Sequence, residues 1–107
     1  MITLKEIIKN GGATLNNKGE AVAYKSGFQV SYKDLRVYKV KDLRMRELKE
    51  IISNLTESDH LGIWIEKGTA YIDLSERISN RNHALKVGKD RKQISVWGWR
   101  KREAVYC

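Results

Sequence analysis

Three absences limit the kinds of protein that this sequence can encode. Proline is missing from all 107 residues, so no cis-proline turn, polyproline segment or stiff proline linker is available to separate two domains. Cysteine occurs once, at Cys107, which excludes an intramolecular disulfide and a thiol cluster around a metal. No run approaches the roughly 20 apolar residues that cross a bilayer, and the first residues lack the features of a secretion signal. We therefore expect one domain, residues 1–107, that stays inside the cell and does not enter a membrane.

The usual catalytic motifs are also missing. The sequence has no glycine-rich phosphate loop followed by Lys-Ser or Lys-Thr, no two-cysteine metal knuckle, and no pair of histidines one helical turn apart. A loop position for His60 and a basic-helix position for His83 are typical of solvated or phosphate-contacting side chains. Asp73, Glu76 and His83 form a candidate cluster for a small metal-dependent nuclease, which is the third-ranked hypothesis. We expect no catalytic residue, no metal and no cofactor.

Positive charge is what the sequence has in excess. Its 21 lysines and arginines outnumber 13 aspartates and glutamates, which leaves a net charge of +8. Residues 57–76 contain five acidic side chains and one basic, whereas residues 77–107 contain nine basic and two acidic. Because lysines and arginines that neutralise phosphates release condensed counterions, such a basic block is typical of proteins that bind polyanions. The alternative interpretation is that the positive charge only keeps the surface of the protein soluble.

Helical segments are predicted from apolar spacing and from residues that begin or end helices. Thr3 and Glu6 form a capping box before the first apolar residues of the chain. Apolar residues at helical spacing predict a main helix over about Leu43–Leu55. The three predicted helices begin after Thr3, after Asp42, and after Ser79 or Asn80, and they end before Gly11, near Leu55 and at Gly88.

Strands are predicted as antiparallel hairpins. The clearest pair joins Leu61–Glu66 to Thr69–Ser75 through Lys67-Gly68, in a register that places Trp64 opposite Tyr71. One face of this pair is wholly apolar, and the other carries Trp64, Tyr71, Gly62 and Asp73. The remaining predicted strands are Ala13–Asn16, Glu20–Tyr24, Phe28–Val30, Leu35–Val40 after a turn at Tyr32–Asp34, Gln93–Trp99 and Ala104–Tyr106. The sequence thus predicts an α+β fold, a mainly antiparallel sheet of β-hairpins with two or three short helices packed on it.

Two tryptophans directly precede three cations. The segment consists of Trp97, Gly98, Trp99, Arg100, Lys101 and Arg102. Alternation along a strand places both tryptophans on one side, with Ser95, and directs Ile94 and Val96 to the core. Aromatic rings that stack on unpaired bases, beside cations that contact the backbone, are the combination used to bind single-stranded nucleic acid. The alternatives are that at least one tryptophan packs under a helix, or that they form a protein-interface hot spot.

A second basic group lies around the end of the predicted third helix. Its charge is explained in part by the favourable interaction of cations with the helix dipole. Together the two groups predict a nucleic-acid-binding or partner-binding surface made of Arg81, Lys86, Lys89, Arg91, Lys92, Trp97, Trp99, Arg100, Lys101 and Arg102.

Four segments resemble a group of small proteins carried by phages and other mobile elements of Gram-positive bacteria. These segments are Ile8-Lys9-Asn10-Gly11-Gly12-Ala13-Thr14-Leu15, Lys25-Ser26-Gly27-Phe28-Gln29-Val30-Ser31, the stretch from Gly62-Ile63-Trp64 to Tyr71-Ile72-Asp73-Leu74-Ser75, and Lys92-Gln93-Ile94-Ser95-Val96-Trp97-Gly98-Trp99. Members of this group are similar to anti-CRISPR inhibitors of type II systems. The resemblance implies a phage protein in the cytoplasm of a bacterial host cell, whose partner is the Cas9 nuclease or its guide RNA.

Charge and resemblance together favour a non-enzymatic Cas9 inhibitor. An inhibitor that imitates DNA would be acidic, whereas a protein of net charge +8 suits the guide RNA or an acidic patch of the nuclease. It would interfere with assembly of the ribonucleoprotein or with DNA targeting. The alternative is a general RNA-binding or DNA-binding accessory or regulatory protein of a phage or mobile element, and the oligomeric state stays open.

Overall fold

The strands of the protein form one curled antiparallel sheet. The computed structural model describes all 107 residues. Its strands are β1 (Gly12–Leu15), β2 (Phe28–Lys39), β3 (His60–Glu66), β4 (Thr69–Ile78), β5 (Ser95–Gly98) and β6 (Glu103–Tyr106). Their order across the six-stranded sheet is β1-β3-β4-β2-β5-β6, and each neighbouring pair is antiparallel. The predicted α+β class with a mainly antiparallel sheet is confirmed.

Three helices cover one face of this sheet. They are α1 (Leu4–Asn10), α2 (Met45–Ile52) and α3 (Arg81–Asp90). Buried side chains of all three pack against residues that alternate on the same side of β4, namely Ala70, Ile72 and Ile78. We call this covered side the helix face and the opposite side the open face. No helix has the length and apolar character needed to cross a membrane.

The helix face holds two buried clusters. The larger lies beneath α1 and α2 and consists of Ile7, Leu15, Leu43, Leu48, Ile52, Leu61, Ile63, Ala70 and Ile72. The smaller lies beneath α3 and consists of Val30, Ile78, Ala84 and Val96. One sheet therefore supports two adjoining cores.

The helix ends follow their local sequence signals at two of the three helices. The predicted capping box of Thr3 and Glu6 begins α1, which ends at Gly11 in the left-handed conformation. Asn80 caps α3 by accepting a hydrogen bond from the backbone N–H of His83. The predicted cap at Asp42 is wrong, because that residue ends a short 3₁₀ turn and α2 begins only at Met45. Helix α3 also continues past Gly88, where it was expected to end.

The predicted β3–β4 hairpin is confirmed, and so is its register. Trp64 lies opposite Tyr71, and Ile63 lies opposite Ile72. The predicted turn at Tyr32–Asp34 is wrong, because Phe28–Lys39 forms one continuous strand. The expected turn residues lie within this strand, where its pairing with β4 shifts register twice. A neighbouring strand along its whole length keeps this segment extended.

Two further predictions near the chain ends need correction. The predicted hairpin of Ala13–Asn16 with Glu20–Tyr24 is reduced to a single bridge between Leu15 and Ala21, because β1 pairs with β3 instead. Ile94, expected in the core, is 80% exposed. Lys92 has a φ of 60°, which turns the chain just before β5, so that the alternation begins only at Ser95 and buries Val96.

Candidate nucleic-acid interface

The open face carries aromatic and polar side chains with no helix above them. Strand register and alternation place Trp64, Tyr71 and Asp73 on this face, as the sequence predicted. A groove of about 940 Å³ runs over it. Trp97 lines the groove opposite Gln29 of β2. The open face is therefore an accessible, partly apolar surface that spans several strands.

Three apolar side chains form a row across the centre of the open face. Trp64 of β3, Tyr71 of β4 and Val37 of β2 are successive partners in the register of the sheet. Their exposed fractions are 56%, 46% and 64%. We call these three residues, two aromatic and one aliphatic, the aromatic row. Because large apolar side chains are usually buried, a row of three on neighbouring strands indicates a binding surface.

Asp73 lies one row away from the aromatic row. It is opposite Gly62 on one side and Asp34 on the other. A methyl group on Gly62 would collide with the Asp73 carboxylate, which therefore lies over this glycine. Burial raises the pKa of Asp73, and the charge of Asp34 acts in the same direction. The centre of the groove thus presents a hydrogen-bonding carboxyl group beside flat rings.

Trp99 is an anchor of the fold, because it is only 8% exposed. Its indole N–H donates to Oε1 of Gln29 at 3.1 Å, and the Gln29 amide donates to the Ser75 hydroxyl at 3.0 Å. Its ring makes edge-to-face contacts with Trp97 and Tyr24, at centroid distances of 6.3 and 5.5 Å. Trp99 is thus packed, but against Tyr24, Trp97 and Gln29 and not under a helix as the alternative expected, whereas Trp97 stays partly exposed in the groove.

A buried histidine extends this aromatic cluster. The Tyr24 hydroxyl lies 2.6 Å from Nε2 of His60, which is only 4% exposed. Burial lowers the pKa of His60 below its usual value, which favours the neutral ring. His60 therefore supports the wall of the groove, and the expectation that it lies in a solvated loop is wrong.

Cations collect at one end of the sheet. This end is marked by Phe28, which pairs with Ile78 on one side and Gly98 on the other. The guanidinium of Arg77 lies over the Tyr24 ring at 5.1 Å, and that of Arg81 lies over the Phe28 ring at 5.9 Å. We call the whole group the basic end: Lys25, Arg77, Arg81, Arg100, Lys101 and Arg102.

The basic end is available to a ligand. All six side chains are exposed, and the last three occupy the turn between β5 and β6. Two carboxylates adjoin the group along the chain, Glu103 after Arg102 and Glu76 before Arg77, and Glu76 pairs with Arg91. The one salt bridge in the protein joins Arg91 to Glu76, so the basic end contains no ion pair. Arg77 lies in the same row of the open face as Gln29 and Trp97, which connects the basic end to the groove.

The ten residues predicted as one surface lie in three places. Trp97 and Trp99 belong to the open face, and Arg81, Arg100, Lys101 and Arg102 belong to the basic end. Lys86, Lys89, Arg91 and Lys92 lie along and after the C-terminal half of α3, on the helix face. Within this third group Arg91 is structural, because it pairs with Glu76 at 3.5 Å and covers the Tyr32 ring at 5.8 Å.

The predicted set omitted the aromatic row, Asp73 and Arg77. For Trp64, Tyr71 and Asp73 a signal was present, since the predicted hairpin register already placed them away from the core. Arg77 and Lys25 carried no such signal, because their approach to the β5–β6 turn depends on non-local pairing through β2.

The predicted nuclease cluster does not form. Asp73 and Glu76 are three positions apart on β4 and therefore point to opposite faces of the sheet. No group of three or more His, Cys, Asp or Glu side chains is arranged to hold a metal ion.

The segments that carry the resemblance to phage proteins contribute to the open face and its surroundings. They supply Gln29, Trp64, Tyr71, Asp73 and Trp97. The Cas9 or guide-RNA partner stays a prediction from those residues. In comparisons with known proteins, no family model, no curated protein and no solved structure matches this chain.

Proposed function

We propose that this domain binds single-stranded RNA on its open face and catalyses no reaction. The observation that carries the proposal is the exposed aromatic row on an uncovered sheet that has unpaired cations at one end. Exposed rings on a sheet stack on splayed bases, and clustered arginines contact the phosphates between them. Neither feature alone requires RNA, but together they match both parts of a nucleotide chain.

The dimensions of the open face suit a short single strand. Tyr71 and Arg77 are six residues apart on the same strand and face, a separation of about 20 Å at roughly 3.3 Å per residue. Several unpaired nucleotides fit between the aromatic row and the basic end. Trp97, which is partly exposed, lies at the end of this path, in the row of Arg77. A double helix is a poorer fit, because its bases are stacked on one another and cannot reach the rings.

Salt dependence of RNA affinity tests the phosphate contacts. Changing Arg100, Lys101 and Arg102 together to alanine should lower the slope of log affinity against log salt concentration by about 2, at roughly 0.7 per phosphate contact on a single strand. Fluorescence anisotropy with a labelled oligonucleotide measures this slope. The matched control is Lys41, Arg46 and Lys49 to alanine, which removes the same charge away from the open face. Salt-independent binding, or equal slopes for the two triple variants, contradicts the proposal.

The resemblance nominates the guide RNA of Cas9 as the RNA to test first. If the domain binds this guide, mixing it with Cas9 before the guide is added should reduce DNA cleavage more than adding it afterwards. Equal loss in both orders indicates that DNA binding is blocked instead. No loss in either order favours the alternative, a general RNA-binding accessory protein of a phage or mobile element.

A further inference from the structure

We infer that the open face selects guanine, through the carboxylate of Asp73. This inference rests on the proposed binding of single-stranded RNA, because it names the base that the same site prefers. It concerns the carboxylate one row away from the aromatic row, which lies within reach of a base stacked there.

Asp73 lies close to both rings of the aromatic row. Asp73 follows Tyr71 by two residues on the same face of β4, so the two side chains are about 6.7 Å apart along the strand. The carboxylate lies over Gly62, which is two residues from Trp64 on β3. A base stacked on either ring therefore directs one edge along the strands towards this carboxylate.

The oxygens of a carboxylate match the hydrogen-bond donors of guanine better than those of the other bases. An ionised carboxylate only accepts hydrogen bonds, through two oxygens that suit two adjacent donors. The Watson–Crick edge of guanine presents such donors, N1–H and the 2-amino group. Adenine and cytosine each present one amino donor beside a ring acceptor, and uracil presents one donor between two carbonyls. The carboxylate therefore matches guanine and repels acceptor atoms of the other bases.

The surroundings of Asp73 leave this role open. No lysine or arginine neutralises it, because the protein's one salt bridge is between Arg91 and Glu76. The neighbouring Ser31 hydroxyl lies 3.3 Å from the carbonyl of Leu74, to which it donates, and its hydrogen bonding to Asp73 partly offsets the effect of burial on the pKa of that carboxyl. Asp34, opposite Asp73 on β2, adds further acceptor oxygens and no donor. The two carboxylates offer acceptors that complement the donors of the guanine edge, and Thr14, Ser31 and Arg36 line the same groove.

Short labelled RNAs of sequence U-U-X-U-U test the inference by fluorescence anisotropy. With X as guanine, affinity should be about tenfold higher than with adenine, cytosine or uracil, since a bidentate pair gives discrimination of this order. Inosine lacks the 2-amino group and should bind with intermediate affinity. The 7-deaza form of guanine keeps the Watson–Crick edge and should bind as guanine does. These binding measurements use the unchanged protein, so they do not depend on the folding of a variant.

Asp73→Asn supplies the second test. Its amide offers one acceptor and one donor, and every base presents an adjacent donor and acceptor that can pair with it, such as N1–H and O6 of guanine. The preference for guanine should therefore disappear and the four bases should bind with similar affinity, while circular dichroism confirms that the variant is folded. Equal affinity of the unchanged protein for all bases, or an unchanged preference in Asp73→Asn, overturns the guanine inference and leaves RNA binding in place. Failure of every RNA to bind overturns the proposed function as well.

Discussion

The two faces of the sheet use the same strands for different purposes. On β4, Ile72 is 2% exposed beneath the helices, whereas Tyr71, the preceding residue, is 46% exposed on the open face. Successive residues of a strand point to opposite sides, so adjacent positions serve different faces. Stability and binding can therefore be altered separately, at neighbouring residues of a single strand.

The separation is clear in the centre of the sheet and weaker at its basic end. There the open face is itself packed, because Trp99, Gln29 and Ser75 form a buried hydrogen-bonded chain. Substitutions at this end should therefore affect folding and binding together. The aromatic row is the place where binding is most independent of stability.

Ile72→Ala should have the largest effect on the helix face. Removing a buried side chain of this size lowers the free energy of unfolding by about 3 kcal/mol, since it leaves a cavity in the larger core. RNA affinity, measured at a temperature where the variant remains folded, should not change. Urea unfolding gives the first quantity and anisotropy the second. A loss of RNA affinity in folded Ile72→Ala protein would break the separation of the two faces.

Tyr71→Ala tests the neighbouring residue on the other face. Loss of one stacking ring should lower RNA affinity about tenfold, and the free energy of unfolding should change by less than about 1 kcal/mol, because the ring is half exposed. Trp64→Ala should behave in the same way. Ile94→Ala, which removes an exposed apolar side chain outside the aromatic row, is the control. An equal fall in affinity in the control would mean that the aromatic row has no special role.

A smaller effect is expected at the packed end of the open face, where His60 is buried. Burial lowers the pKa of His60 in the folded state below its value in the unfolded chain. The unfolded chain therefore binds a proton more readily, and this contribution to stability falls as the pH drops through about 6.5, the ordinary histidine value, towards the folded-state value. Urea unfolding at a series of pH values measures it. His60→Gln should flatten this part of the profile, whereas His83→Gln, at an exposed position on α3, should leave it unchanged.

Local features of the fold were predictable because they depend on residues close in sequence. The capping box at Thr3, the turn at Lys67-Gly68 and the pairing of Trp64 with Tyr71 are examples. Errors occurred where a distant strand overrode a local signal. The turn expected at Tyr32–Asp34 became part of β2, because β4 pairs along its length.

The candidate site was predictable only in part, for the same reason. Alternation placed Trp97 and Trp99 on one side of their strand, and both line the groove. It did not show that Trp99 is buried, because the bond to Gln29 joins residues 70 positions apart. Nor did composition show that Lys86, Lys89 and Lys92 lie on the helix face, separate from the cations of the β5–β6 turn.

The α+β class, the β3–β4 register and the division of the hairpin residues between an apolar and a polar face can be read from the sequence, because periodicity and turn chemistry act over a few residues. The strand order and the composition of the basic end are set by the tertiary structure. The pairing of Phe28 with both Ile78 and Gly98 brings the end of β4, where Arg77 lies, to the same end of the sheet as the β5–β6 turn. Such pairing depends on the packing of segments far apart in the chain, which no local pattern records.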